Sequence, residues 1–167
     1  DPGAVTGRDI RAVVAHLDDR IGKDEIKAAQ KKLVWDDATS TVDRADEAVC
    51  PGNIILLTVR CENTVEVTAG FGRFGTPARR VGSEAARDMK HFLESGAAVG
   101  RRLADQIMLP LALAGGGRFT TLPLSGHAQT QIETIGHFLP VTVEVDEKDR
   151  HLHEVIIKTA DVAAAEE

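Results

Sequence analysis

The stretch LPLSGHAQTQIETIGHFLP (122–140) sets His127 directly after a glycine and ahead of apolar residues at helical spacing, Ile132, Ile135 and Leu139. Ser125 can cap the helix that follows, and Thr130 with Glu133 offers a second start in capping-box spacing. Either start puts His127 in or beside the first turn. There the free backbone N–H groups and the positive end of the helix dipole favour anions and oppose added positive charge. A neutral imidazole beside an anion-binding helix end is suited to attack on phosphorus. The plain alternative is a solvated loop histidine.

Asp105 and Gln106 interrupt the apolar helix around LADQIMLP. Arg101 and Asp105, four residues apart, would make an ion pair of modest value. The other reading points the carboxylate and amide into a polar cleft, where they bind a ribose or a base edge. The GGGR run (115–118) lets backbone approach a phosphate closely, because glycine has no Cβ. It lacks the GxxxxGK[ST] pattern of a P-loop, so a turn-forming glycine cluster is the expectation. His151 and His153 stand two apart on one face of an expected strand. Two imidazoles so spaced can hold a metal, yet no Cys or carboxylate completes the set, and no metal site is expected. Cys50 and Cys61 allow at most one bridge and lack paired CxxC spacing; they read as free thiols of a cytoplasmic protein.

The elements that must position these groups follow from periodicity. IRAVVAHL (10–17) is apolar enough for a buried strand. DDRIGKDEIKAAQKKLVW carries Ile26, Ala29 and Leu33 on one helical face, with acids early and lysines late as the dipole favours, and Trp35 packs at its end. TSTVDRAD is a polar, exposed strand and CPGN (50–53) a turn. NIILLTVRC and NTVEVTAGFG form a hairpin about Glu62–Asn63. SEAARDMKHFLESG is an amphipathic helix stopped by Gly96, and Val99, Leu103 and Ile107, four apart, mark the next one. RFTTLPL is a short strand, HAQTQIETIGHFL a helix, and VTVEVDEKDRHLHEVIIK a hairpin or strand pair. The order β-α-β-β-β-α-α-β-α-β-β predicts an α/β (α+β) chain. We expect a small module over 1–82, its boundary reaching up to about 95, a second piece over 83–160 and a frayed tail over 161–167.

A chain of 167 residues holds one compact domain or two small ones, and 43% hydrophobic residues support a packed core. No apolar run reaches the roughly 18–20 residues of a spanning helix, so no membrane partner is expected. The net charge of −6 gives no bulk attraction for nucleic acid. RNA contact would need a local basic patch, such as Arg79–Arg80 or Arg101–Arg102. The opening DPGAVTGRD has neither an initiating Met nor a basic-then-apolar leader, so a processed or partial chain is expected.

Five features in order, AAVG (97–100), LADQ (103–106), LPLALAGGG (109–117), the SGH triplet (125–127) with its helix, and FLPV (138–141), resemble the C-terminal segment of the RNA 3′-terminal phosphate cyclases. A weaker likeness runs upstream through HFLES, VTAGFG and CPGN, so that the resemblance covers about residues 8–158. It implies a fold, an inserted small β-α-β-β-β-α module followed by the last βαβ-type repeat of the catalytic domain. It also implies a ligase-type reaction that uses ATP to turn an RNA 3′-phosphate into a 2′,3′-cyclic phosphodiester through a covalent histidine–AMP, with a divalent metal, Mg or Mn. The family's nucleophile falls on His127, and its nucleotide-contacting pair on Asp105 and Gln106. Arg102 stands where an aromatic residue is often found, so a guanidinium face would hold the base here. Cys50 likewise replaces a glycine expected before PGN. Family members are about twice this long, and their N-terminal half carries the glycine-rich opening, an RGxxPxGGG stretch and the basic residues that complete the ATP and RNA sites. The implied partners are an RNA with a 3′-phosphate end, ATP and the N-terminal half, whether covalent or a separate chain. The rival expectations are a catalytically inactive cyclase-like ribosome-assembly factor and an RNA- or protein-binding module.

Overall fold

The computed structural model describes residues 1–159, so the expected tail over 161–167 lies outside the described residues. The elements are β1 (Val5–Ala15), α1 (Asp19–Leu33), β2 (Thr39–Arg44), β3 (Gly52–Cys61), β4 (Val65–Phe71), α2 (Ala78–Ser95), α3 (Arg101–Leu113), β5 (Gly116–Thr121), α4 (Gly126–Phe138), β6 (Val141–Glu147) and β7 (His153–Thr159). Their order is the expected one, and the chain is mixed α/β with two sheets. It folds as two compact units that divide between Glu94 and Ser95, so α2 up to Glu94 belongs with the first.

The first unit is a sheet of order β2-β1-β3-β4, with β1 parallel to β2 and the other pairs antiparallel. Register aligns Ile10 with Leu57 and Ala12 with Ile55 on one face, and all four are buried. Helices α1 and α2 cover that face. Gly22 of α1 lies against Ala12 and Val42, and Gly70 of β4 lies against Val81 and Ala85 of α2. The opposite face carries the ion pairs Arg11–Asp43 and Arg60–Asp9. Asp18 caps α1 by accepting from the Arg20 N–H at 2.8 Å, and Trp35 packs at its other end beneath Arg8, whose guanidinium carbon is 5.9 Å from the ring centroid. Helix α2 begins five residues earlier than its apolar stripe suggests. Pro77 starts it, its carbonyl accepting from the N–H groups of Arg80 and Val81.

Helices α1 and α2 cross at Gly82. A Cβ there would sit 2.2 Å from the Glu25 carbonyl oxygen, a backbone atom that cannot swing aside. Gly82→Ala is therefore expected to destabilise the first unit by roughly 2–3 kcal/mol. Trp35, the single tryptophan and buried in this unit, reports its unfolding by fluorescence; an unchanged denaturant midpoint would refute the close crossing.

Glu25 at the same crossing is fully buried. Asn53 Nδ2 donates to its Oε1, while Oε2 has no hydrogen-bond partner among the described residues. Burial pushes the carboxyl up to about 7, with the Asn53 bond pulling weakly the other way.

In the second unit β7 lies between β5 and β6, both pairs antiparallel. Ala104, Met108 and Ala112 of α3 and Ala128 and Ile135 of α4 pack with Phe119, Val155 and Ile157 of the sheet. The apolar stripe of α3 thus sits one residue beyond the expected 99-103-107 row. Val99 is outside the helix altogether: Gly100 is the N-cap with extended backbone, and Val99 forms a parallel bridge with Thr121. The glycine run is the turn into β5. Gly115 and Gly116 take φ of +95° and +118°, and a Cβ on Gly116 would meet the Ile157 carbonyl oxygen at 2.6 Å. His151 lies in the turn between β6 and β7 while His153 starts β7, so the two imidazoles do not share a strand face.

Candidate functional site

Helix α4 uses the first of its two possible starts. Ser125 is the N-cap (φ −74°, ψ 162°), its Oγ accepting from the Ala128 N–H at 3.1 Å and its carbonyl from the Gln129 N–H at 3.1 Å. The N–H groups of Gly126 and His127 have no acceptor within the helix. His127 is exposed in this first turn, so the imidazole is carried on a capped helix end rather than a loop.

Both helices of the second unit start at the same end of the sheet. Thr121 closes β5 just before α4, and Val99, bridged to Thr121, leads into α3. Their dipoles therefore present positive ends on the same side, where anionic charge is favoured. The same sheet end holds two orphaned polar atoms: Thr121 and His153 are paired in register, and Thr121 Oγ1 and His153 Nδ1 are buried without partners among the described residues.

Between α3 and α4 runs a cleft of about 650 Å³. Asp105, Leu109 and Leu113 form one wall at i, i+4, i+8; His127, Gln131, Thr134 and Phe138 stand on the other. Its polar end holds Asp105 and His127 together with Thr130 and Gln131. Toward the helix C-termini it becomes apolar at Leu113, Phe138 and Leu139. Asp105 is half-buried and makes no ion pair with Arg101 among the described residues; its carboxylate belongs to the cleft. Gln106 and Arg102 are exposed on α3, four residues apart and outside the cleft lining, without an ion pair or side-chain hydrogen bond among the described residues. The structure thus brings Asp105 and His127 to one cleft and leaves Gln106 and Arg102 on its outer side. The wall residues Leu109, Leu113 and Phe138 escaped the sequence reading, although each is an exposed apolar residue beside a core stripe. Among the described residues no three or more His, Cys, Asp or Glu side chains gather where they would hold a metal ion, and no helix is long and apolar enough to cross a membrane.

The fold and site define the class: a two-unit α+β chain with a histidine at a capped helix start and a carboxylate lining the same cleft. Comparison with known proteins gives this class its family. Residues 1–94 match the sequence model of the RNA 3′-terminal phosphate cyclase insert domain, more than half of the chain. The chain belongs to the RNA 3′-terminal phosphate cyclase family. It is 36% identical over 159 residues to the RNA 3′-terminal phosphate cyclase of Pseudomonas aeruginosa, covering 95% of this chain and 47% of that protein. To the protein of the same name from Pseudomonas fluorescens it is 38% identical over 142 residues, 85% of this chain and 42% of that one. To that from Koribacter versatilis it is 36% identical over 149 residues, 89% and 42%. The chain spans about half the length of the curated relatives it matches.

Proposed function

We propose that this chain is the C-terminal portion of an ATP-dependent RNA 3′-terminal phosphate cyclase, a ligase with His127 as its nucleophile. Family membership supports the reading, and one observation carries it: His127 stands in the first turn of α4 and shares a cleft with Asp105. In this reading an imidazole nitrogen of His127 attacks the α-phosphorus of ATP. A P–N bond forms as the bond to pyrophosphate breaks. The RNA 3′-phosphate then attacks the same phosphorus and takes the adenylyl group, returning the imidazole. The neighbouring 2′-OH attacks the activated phosphate, closes the cyclic diester, gives up its proton and expels AMP. Splitting one difficult displacement into easier ones is the advantage of a covalent nucleophile.

In this reading the helix ends favour the phosphates and Asp105 contacts the nucleotide within the cleft, while Gln106 and Arg102, outside the cleft lining, would meet it where it extends over the outer side of α3, the Arg102 guanidinium against the base. A divalent ion, Mg or Mn, offsets phosphate charge when bound. Replacing Arg102 with alanine is expected to weaken ATP binding by about two- to fivefold, the size of an exposed cation–π contact. Titration by fluorescence of a labelled nucleotide checks it, and unchanged affinity would place the base elsewhere.

The reading is tested by incubating the chain with ATP and Mg²⁺ or Mn²⁺, alone and together with the N-terminal half of a full-length relative, followed by intact mass and peptide mapping. An adenylyl adduct on His127 is the expected result. No adduct in either preparation would overturn the enzymatic reading in favour of an inactive assembly factor or a binding module. The compartment expected for such a protein is the cytoplasm.

A further inference from the structure

We propose that the groove between α1 and α2 of the first unit is a track for the phosphate backbone of single-stranded RNA. The inference rests on the RNA partner of the proposed function but concerns a separate surface, and it does not depend on His127 chemistry. The groove, about 480 Å³, is lined by Lys27, Lys31, Lys32 and Arg79, with Asp24, Ala28 and Ser83 between them. Four cations thus face a single carboxylate on a chain whose net charge is −6. Lys27, Lys31 and Lys32 are exposed and make no ion pair or hydrogen bond among the described residues. Arg79, 75% exposed, reaches Asp24 only at 3.8 Å. Lys27 and Lys31 stand one turn apart, about 6 Å along α1, which suits successive phosphates of an extended strand.

The position of Arg79 is the observation that argues against simple helix stabilisation. It lies in the first turn of α2, which has no acidic residue. A cation there opposes the helix dipole, whereas Lys31 and Lys32 in the last turn of α1 agree with it. Arg79 thus stands on the lip of a basic groove, where its one carboxylate partner among the described residues is distant and an anion would serve both helix end and groove. Ser83 contributes a hydroxyl, as phosphate contacts commonly do.

The test is fluorescence anisotropy of a labelled single-stranded RNA ending in a 3′-hydroxyl, titrated with the 167-residue chain at several salt concentrations. The 3′-hydroxyl keeps the reaction site out of the measurement. Lys27→Gln/Lys31→Gln/Arg79→Gln is expected to lose about tenfold or more in affinity, and the slope of log K against log salt should become shallower by about 2. Its Trp35 unfolding midpoint should change little, because losing the Arg79 charge relieves the α2 dipole while losing Lys31 weakens the match to the α1 dipole. The triple variant should still acquire the adenylyl adduct wherever the parent chain does, since its residues line the first unit's groove and not the His127 cleft, which separates failure of this groove from failure of the adenylylation reading. A triple variant that binds with parental affinity and slope would overturn the proposal. So would displacement of the RNA by a Glu-rich peptide at equal charge, which would assign the groove to acidic protein segments.

Discussion

His127→Ala is expected to abolish the adenylyl adduct under every condition in which the parent chain acquires one. The loss should be on the order of 10⁴-fold or more in labelling rate, the scale seen when a covalent nucleophile is removed. Within the second unit no other imidazole lines the cleft among the described residues. His137, on the same helix, is ten residues away, about 15 Å along the axis, and His153 is buried at its Nδ1. The substitution should leave the fold intact. His127 is exposed, makes no side-chain hydrogen bond among the described residues, and gives way to a better helix former. The Ser125 cap, which bonds to the Ala128 backbone, does not involve it. Mass and unfolding should therefore separate: an adduct-free chain with an unchanged stability curve. Labelling that survives in His127→Ala would mean that another group carries the adenylyl, and the assignment of the nucleophile would fall.

The part of this site that was legible in the sequence is the part decided by local chemistry. Ser125 before Gly126–His127 is a cap by side-chain type, and the helix formed where that cap allowed. The order of elements was equally legible, since the β-rich run NIILLTVRC and the row Ile26, Ala29 at helical spacing are local signals. Less legible was which stripe of a helix meets what. On α3, the rows 103–107, 104–108–112 and 105–109–113 are adjacent; only tertiary packing makes the second the core and the third a cleft wall. Asp105 shows the consequence. Four-residue spacing suggested an ion pair with Arg101, yet its carboxylate lines the cleft instead. Val99 misled for a local reason, because Gly100 with extended backbone ends the strand-like entry before the helix begins. Pro110 did not end α3 as a proline in a helix often does; the helix runs on to Leu113, at the expense of a partner for the Gln106 carbonyl. Glu25 was the least legible of all. It stands among charged neighbours in DDRIGKDEIK, where a solvated role is the ordinary expectation, yet it falls on the row Gly22–Ile26–Ala29 that α1 turns to the sheet.

That buried carboxyl gives the second large effect: Glu25→Gln should make the first unit more stable at pH 8 and flatten its pH dependence. Burial raises the folded-state value to about 7 from the ordinary 4.5. Between those values the folded chain holds a proton that the unfolded chain has released, so stability falls as pH rises through the window. The favourable contribution is complete below about 4.5 and lost above about 7. Above the window the ionised side chain is penalised by about 3 kcal/mol as an upper bound. Glutamine keeps an acceptor for Asn53 Nδ2 and has nearly the same shape, but it never ionises. Unfolding followed at Trp35 should therefore give parent and variant similar midpoints near pH 5, and a variant advantage approaching 2–3 kcal/mol at pH 8. Parallel pH curves for the two chains would show that Glu25 does not titrate in the folded state over this range. The Gly82 crossing bears on the same result. If the helices separated enough to let water reach Oε2, the penalty would vanish, so a steep parental pH curve also measures how tightly α1 and α2 are held together.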